Sequence, residues 1–246
     1  MNRIKIGPLA TQSKKLNTDA TNLCKTDLLP HEEFAPHRNG EFSLFVPVHY
    51  ESSYAYPLIV WLHQDGSACD ELQKLMPQVS CRNHIAVAPQ SSFAQVSPIA
   101  WPDTAESVEA AYESVLACIE DANRRFNINP DRIFIAGTGT GGSMALQLAF
   151  QRPDIFAGVA SIDGPMDAQQ VPLHDWEMCR NLNVLLSTFR NSLSYCEDEL
   201  CHSLRLLHVA GFSTTVRQYP GDVRLSPKVL SDLNGWVMEQ IGSTIS

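Results

Sequence analysis

One stretch of the chain, residues 132–150, restricts the possible folds more than any other; it reads RIFIAGTGTGGSMALQLAF. Its first part is a continuous apolar run, typical of a strand that is buried on both faces. Glycines follow at positions 137, 139, 141 and 142, and residues 143–150 show an apolar helical pattern. A buried strand that turns sharply into a helix is typical of a parallel α/β sheet.

The rest of the chain repeats this alternation of strand and helix. Short strand-like runs are predicted at residues 41–46, 57–63, 84–89, 132–137, 156–162, 183–189 and 214–219. Helical patterns are predicted at residues 70–79, 108–126, 143–150, 199–210 and from Pro227 onward. Asp103 and Glu106 resemble a capping box, Ser226 is a candidate N-cap and Gly211 a candidate C′ glycine. The sequence therefore predicts a three-layer α/β sandwich around a mostly parallel sheet of about seven or eight strands.

The organisation predicted along the chain is an arm followed by one domain. Residues 1–38 are polar and contain no clear strand or helix pattern, so they are interpreted as an N-terminal arm of uncertain structure. Residues 39–246 contain all the alternating elements and are predicted to form a single domain. The 44% hydrophobic content is ordinary for a globular protein and excludes wholesale disorder.

Charge and cysteine content narrow the function classes. The net charge of −9 makes nucleic acid an unlikely partner, because no basic excess exists to bind phosphates. No apolar run of 18 residues and no signal-peptide core are present, so we expect neither a membrane span nor secretion. Seven cysteines with no zinc-like spacing indicate free thiols in a reducing cytoplasm, and we expect no bound metal.

The glycine cluster has a first functional interpretation as a dinucleotide-binding loop. Gly137, Gly139 and Gly142 match G-x-G-x-x-G between a strand and a helix, and Asp163 ends the next predicted strand, where a ribose-binding acid would lie. However, this fingerprint normally opens the first βαβ unit, and here several predicted strands precede it. We therefore expect no NAD, NADP or FAD binding and no other cofactor.

A second interpretation is a modified nucleophile elbow. The G-x-S-x-G elbow places a serine on a strained strand-to-helix turn, and residues 137–141 match it with Gly139 in the place of the serine. We expect Gly139 to lie at the apex of the turn with positive φ. A third interpretation is a glycine-rich turn that only packs a helix against a sheet, and it is compatible with the second.

Several further segments support the elbow. PLIVWLHQDG is similar to the strand and oxyanion loop of carboxylesterase and phospholipase-like hydrolases, and NVLLSTFRNS resembles their strand before the catalytic acid. RQYPGDVRLSPKVLSDLNGWV resembles their histidine loop and final helix. From residue 40 to about residue 242 the chain thus resembles the α/β-hydrolase superfamily, close to its phospholipase/carboxylesterase and dienelactone-hydrolase-like branch.

This resemblance implies positions for a catalytic triad, and none of them carries the required side chain. Gly139 stands at the nucleophile position and Val223 at the histidine position. Ser192 stands at the acid position, with Asn191 as the alternative alignment. Nucleophilic catalysis needs an activated nucleophile, a base and an acid that orients the base. Three replacements in the expected order predict a chain without triad chemistry.

Other residues near the elbow are candidates to replace the triad residues or to bind a ligand. Thr138 and Thr140 flank Gly139, and threonine can act as a nucleophile when a base activates it. His63 is the one histidine that a motif places near the site, and its expected role is structural. The oxyanion hole is implied to use the backbone N–H groups of Gln64 and Thr140, which do not depend on side chains. The other histidines are His31, His37, His49, His84, His174, His202 and His208.

The function predicted from the sequence is therefore a carboxylesterase/phospholipase-like family member that lacks triad chemistry. It would bind a small acyl- or carboxylate-containing ligand. One alternative is an active esterase with a displaced, serine-independent nucleophile. The other is a dinucleotide-binding domain that uses residues 137–142. The sequence specifies no protein partner.

Overall fold

The computed structural model describes residues 42–91, 100–166 and 182–243. Two compact units divide the chain, Met1–Glu33 and Phe34–Ser246, and every described residue belongs to the second. The predicted N-terminal arm, residues 1–38, and the residues His31, His37 and His174 lie outside the described residues.

Seven strands form one sheet in the order β1-β3-β2-β4-β5-β6-β7. β1 runs antiparallel to β3, and every other neighbouring pair is parallel. This confirms the prediction of a mostly parallel sheet. The strands are β1 (Phe42–Phe45), β2 (Tyr56–Leu62), β3 (Ile85–Pro89), β4 (Ile128–Thr138), β5 (Gly158–Ile162), β6 (Asn183–Phe189) and β7 (Ser213–Tyr219).

Helices cover the two faces of this sheet. They are α1 (Leu72–Val79), preceded by a 3-10 turn at Cys69–Glu71, α2 (Ala105–Arg125), α3 (Thr140–Gln151), α4 (Glu197–Ala210) and α5 (Pro227–Ser243). α2, α3 and α4 contribute to one hydrophobic core, whereas α1 and α5 contribute to the other. The described domain is thus a three-layer sandwich.

The two cores explain why β2 is apolar along its whole length. Successive side chains of a strand point to opposite faces, so Leu58 and Val60 enter the first core while Ile59 and Trp61 enter the second. All four are at most 1% exposed. Burying one such side chain stabilises the fold by about 1.5–3 kcal/mol. A sheet covered on one face only would instead alternate apolar and polar residues.

Helix ends follow local chemistry, with one correction to the sequence-based prediction. The N-cap of α2 is Thr104, whose side chain accepts a hydrogen bond from the Ser107 N–H, so the capping box predicted for Asp103 and Glu106 is wrong. Thr104 takes this place because its extended backbone directs its hydroxyl toward the first helical turn. Gly211 ends α4 in the left-handed region with φ of 80°, as predicted.

Candidate functional site at the Gly139 elbow

A sharp elbow joins β4 to α3, and Gly139 is its apex. Gly139 has φ of 58° and ψ of −128°, a combination that glycine adopts readily and that is strained for other residues. Its N–H donates to the Ile162 carbonyl at 2.9 Å, and its own carbonyl accepts from the Ser143 N–H at 3.1 Å. The predicted strand, tight turn and helix, with positive φ at Gly139, are confirmed.

The neighbouring glycines allow backbones to pack together. A Cβ on Gly137 would overlap the Gly141 carbonyl, and a Cβ on Gly141 would overlap the carbonyls of Leu62 and His63. A Cβ on Gly164, just after β5, would overlap the Gly139 carbonyl in the same way. This close packing explains why these positions are glycine, and the explanation does not require a bound phosphate group. At Gly139 itself, by contrast, a Cβ would have space, with its nearest neighbour 3.5 Å away.

That nearest neighbour is the guanidinium group of Arg224, from the loop between β7 and α5. Arg224 Nη1 lies 3.5 Å from the position that a Gly139 Cβ would occupy. The Nε–H donates to Asp163 Oδ2 at 2.6 Å, and Nη2–H donates to Ser194 Oγ at 2.8 Å. The side chain is 30% exposed. A fixed, permanently charged cation therefore faces the elbow apex.

Asp163 holds this arginine from the end of β5. Its side chain is 2% exposed and forms an ion pair with Arg224. Its backbone has φ of 57°, one of two left-handed non-glycine residues in the described part of the chain. The sequence suggested Asp163 as a ribose-binding acid for a dinucleotide, but the carboxylate is directed to Arg224 instead.

The residues aligned with the catalytic acid and histidine are not the ones whose side chains reach the elbow. Ser192 Oγ accepts hydrogen bonds from the N–H groups of Ser194 and Tyr195, so it stabilises its own turn. Val223 is 65% exposed. The side chains that reach the site from these two loops are Ser194 and Arg224, each only one or two residues away from the aligned position.

Asp65, from the loop after β2, also lies near the apex. One of its carboxylate oxygens accepts a hydrogen bond from the Thr140 hydroxyl, and the other lies 3.9 Å from the position of a Gly139 Cβ. Thr140 Oγ1 also accepts from the Trp101 N–H at 3.3 Å. A carboxylate and a guanidinium thus both lie near the elbow apex.

The two N–H groups expected to form an oxyanion hole belong to Gln64 and Thr140. Thr140 is the first residue of α3, where helix N–H groups lack intrahelical partners. Within the described ranges, no backbone carbonyl accepts a hydrogen bond from either N–H. The helix N-terminus adds a partial positive charge at the same point. Together with Arg224, this end of the site favours an anion.

His63 is close to the site but holds the loop rather than facing the apex. Its Nδ1–H donates to the Gln64 carbonyl at 3.0 Å, and Nε2 accepts from the Ser91 N–H at 3.3 Å. Burial lowers the pKa of this imidazole below 6.5, although the Gln64 carbonyl opposes the shift. A neutral ring with both nitrogens engaged in hydrogen bonds of the loop is consistent with a structural role for His63.

Thr138 and Cys118 supply no reactive group at the elbow. The Thr138 side chain is fully buried beneath the turn, with a hydroxyl that has no hydrogen-bond partner. Burial raises the pKa of the Cys118 thiol to about 12, so that thiol is unreactive at neutral pH. In the part of the chain that the structure describes, no cluster of three or more histidine, cysteine or acidic residues could hold a metal ion.

A cavity of about 550 Å³ lies beside the elbow. Ser143, from the first turn of α3, and Trp101, which contacts Thr140, both line it. Its buried walls are apolar, and the exposed side chains at its mouth are mostly acidic. The apolar lining residues are Trp101, Met144, Leu146, Phe150, Pro165 and Met166, and the exposed ones are Asp103, Asp198, Glu199 and His202.

Arg224, Asp65 and Ser194 were not among the predicted site residues. Two of them, Arg224 and Asp65, are next to predicted positions in the sequence. Arg224 directly follows Val223, and Asp65 directly follows Gln64 in the LHQDG segment. Neither could be chosen without coordinates, because a one-residue shift in a loop changes which side chain faces the site.

The chain is similar in sequence to known hydrolases over part of its length. Residues 105–183 match the prolyl oligopeptidase family, Peptidase_S9. A protein of Nocardia uniformis subsp. tsuyamanensis named as an esterase, NocK, is 30% identical over 118 residues. That match covers 45% of this chain and 33% of NocK. The matched part therefore spans about a third of the length of this relative.

Solved esterase structures share the fold. Arabidopsis thaliana SOBER1 has a TM-score of 0.61 and 20% identity, with 76% of this chain and all of SOBER1 covered. A carboxylesterase from Mesorhizobium loti has a TM-score of 0.63 and 17% identity, with 74% of this chain and 88% of the enzyme covered. No described helix is long and apolar enough to cross a membrane. The sheet order, the elbow and these structural neighbours together show that the described domain has the α/β-hydrolase fold.

Proposed function

We propose that this protein is a non-hydrolytic relative of the carboxylesterases that binds a small acyl- or carboxylate-containing ligand at the Gly139 elbow. The observation that carries the proposal is the position of Arg224. A guanidinium, held by Asp163 and Ser194, lies where a nucleophile and its base would have to meet. Arginine cannot act as a general base at neutral pH, because its guanidinium group stays protonated in proteins.

The same group supports ligand binding. Arg224 Nη1, the Thr140 N–H and the Gln64 N–H offer donors of the kind that recognise a carbonyl or carboxylate. The adjacent cavity of about 550 Å³ has an apolar lining and is large enough for a small acyl group. The ligand's oxygen atoms would lie at the elbow and its apolar part in the cavity.

The proposal is tested first by activity. The unmodified protein should turn over short-chain p-nitrophenyl esters no faster than a buffer blank and should not be labelled by a fluorophosphonate probe. A carboxylate such as 4-methylpentanoate should nevertheless shift the amide NMR signals of Gly139 and Thr140. Ordinary esterase rates would overturn the proposal, and an absence of shifts would remove its binding half.

A displaced nucleophile is the second candidate, because one contact favours it. The Thr140 hydroxyl donates to the Asp65 carboxylate, an arrangement in which a carboxylate can accept the proton of a nucleophile. If this pair is catalytic, Thr140→Ala should abolish any ester turnover. Thr138→Ala is the matched control, since the Thr138 side chain is buried and faces no open space. Turnover that survives both changes would exclude a threonine nucleophile.

Dinucleotide binding is the third candidate, and we expect it to fail. Gly137 and Gly141 are needed for contacts within the backbone of the elbow, and Asp163 is paired with Arg224. Isothermal titration with NAD, NADP and FAD should give no measurable heat of binding. A dissociation constant in the low micromolar range for any of them would reverse this ranking.

A further inference from the structure

The elbow presents two opposite charges to one open point. Arg224 Nη1 is 3.5 Å and Asp65 Oδ2 is 3.9 Å from the position of a Gly139 Cβ. Their separation therefore cannot exceed the sum of these two distances. Among the described residues, the ion pairs within 4.0 Å do not include Arg224 with Asp65. A carboxylate and a guanidinium thus lie near the same open point without pairing with each other.

Both charges are held in place by other contacts. Arg224 uses its Nε–H and one Nη2–H for Asp163 and Ser194, which leaves Nη1 for a third partner. Asp65 uses one oxygen for the Thr140 hydroxyl, which leaves the other oxygen facing the gap. Glycine at 139 keeps the gap open, because any side chain there would occupy it.

We infer that the ligand of this site is a small zwitterion of the amino-acid type, with its carboxylate on Arg224 and its ammonium group on Asp65. This inference rests on the proposed carboxylate binding and specifies its ligand class. A monocarboxylate would satisfy Arg224 but would leave the exposed Asp65 Oδ2 with water as its partner. An ammonium group beside the carboxylate satisfies both charges at once, and an apolar side chain of the ligand would lie in the adjacent cavity.

Three probes of matched shape separate the charges. Leucine carries both groups, 4-methylpentanoate lacks only the amine, and 3-methylbutylamine lacks only the carboxylate. Titrations followed by the amide signals of Gly139 and Thr140 should show leucine binding about two- to fivefold more tightly than 4-methylpentanoate, the range expected for one added, partly exposed ion pair. The amine alone should bind most weakly, because the helix N-terminus and Arg224 repel it.

Variants assign the two charges. Asp65→Asn should remove the advantage of leucine over 4-methylpentanoate while the latter still binds. Arg224→Gln should weaken both carboxylates, and its melting curve shows whether the domain is folded. Asp222→Asn is the matched control, an exposed acid two residues from Arg224, and should leave the ranking of the probes unchanged.

The outcomes distinguish this inference from the function on which it rests. If 4-methylpentanoate binds as tightly as leucine, or if Asp65→Asn keeps the difference, the zwitterion is wrong and the carboxylate site stands. If no carboxylate shifts the elbow signals, both are wrong. If leucine binds best and Asp65→Asn alone removes its advantage, the inference is supported.

Discussion

The β4–α3 elbow and the loops after β6 and β7 differ in which features of a hydrolase site they contain. Between β4 and α3 the backbone has the strained turn that a nucleophile elbow requires, with φ of 58° at Gly139. The loops after β6 and β7, in contrast, supply a turn-forming Ser192 and an exposed Val223 at the positions aligned with acid and base. The elbow has the backbone geometry of a nucleophile turn, whereas the residues aligned with acid and base carry neither a carboxylate nor an imidazole.

Packing explains the difference. Gly137 and Gly141 lie so close to other backbone atoms that a side chain at either position would overlap them. The elbow is therefore part of the core, and its shape is required for folding whether or not a nucleophile is present. The loop residues lie at the surface, where a change of side chain costs little stability. Packing alone thus explains the shape of the elbow, and that shape does not by itself indicate a nucleophile.

The largest expected effect comes from adding a methyl group inside the elbow. Gly141→Ala should destabilise the domain by about 3 kcal/mol or more, because its Cβ would overlap the carbonyls of Leu62 and His63. Gly235→Ala is the matched control within α5, where nothing lies within 4 Å of the added Cβ. It should be neutral or stabilising by up to about 1 kcal/mol. Urea denaturation measures both, and equal effects would show that the elbow is not tightly packed.

The next effect tests whether ester hydrolysis can be introduced at the elbow by substitution. Arg224, not Val223, faces Gly139, and Asp163 already orients the side chain at position 224. The double variant Gly139→Ser with Arg224→His should therefore hydrolyse p-nitrophenyl esters about 10²-fold faster than Gly139→Ser alone, the lower range for a positioned general base. Fluorophosphonate labelling provides a second measurement.

Two further variants serve as comparisons for this experiment. Asp163→Asn added to the double variant should remove the gain, since the imidazole would lose the carboxylate that orients it. The triple variant Gly139→Ser, Ser192→Asp and Val223→His follows the sequence alignment instead. An active triple variant beside an inert double variant would show that the loops adopt the aligned arrangement and would contradict the role of Arg224.

A smaller effect is expected from breaking the ion pair between Arg224 and Asp163. Arg224→Met leaves the 2% exposed Asp163 carboxylate without its partner and should cost about 2 kcal/mol of unfolding free energy, less than for a fully buried pair because the arginine is partly exposed. Lys228→Met removes a surface ion pair with Asp232, in which the lysine is 73% exposed. It should cost less than about 0.5 kcal/mol. Similar losses in chemical denaturation would mean that Asp163 is not effectively buried.

The last expected effect develops gradually with pH and concerns two buried histidines, His84 just before β3 and His63 beside the elbow. Burial lowers the pKa of His84 from 6.5 to about 4, and it lowers the pKa of His63 in the same direction. The unfolded chain therefore binds protons that the folded domain does not, so stability should fall between pH 6.5 and about 4. Each histidine contributes up to about 1.4 kcal/mol per pH unit. His84→Gln should flatten this slope, and His208→Gln, at an exposed position of α4, should not.

Much of the fold was determined by the sequence alone. The continuous apolar runs of β2 and β4 predict strands buried on both faces, and the helical stripes between them predict a parallel sheet with helices on both sides. The glycines at 137–142 specify the elbow, because glycine at the apex and close backbone contacts leave few other conformations. These are local or periodic properties, and each segment carries its own signal.

The charge arrangement of the site was decided by the tertiary structure. Asp65, Asp163 and Arg224 come from three loops far apart in the chain, and the strand order of the sheet brings those loops to one edge. Which side chain of a loop faces the apex depends on its backbone turn to within one residue, as Val223 and Arg224 illustrate. No periodicity records that choice, because a loop has no repeating hydrophobic face. The sequence therefore determines where the elbow lies, and only the folded loops determine which charges meet there.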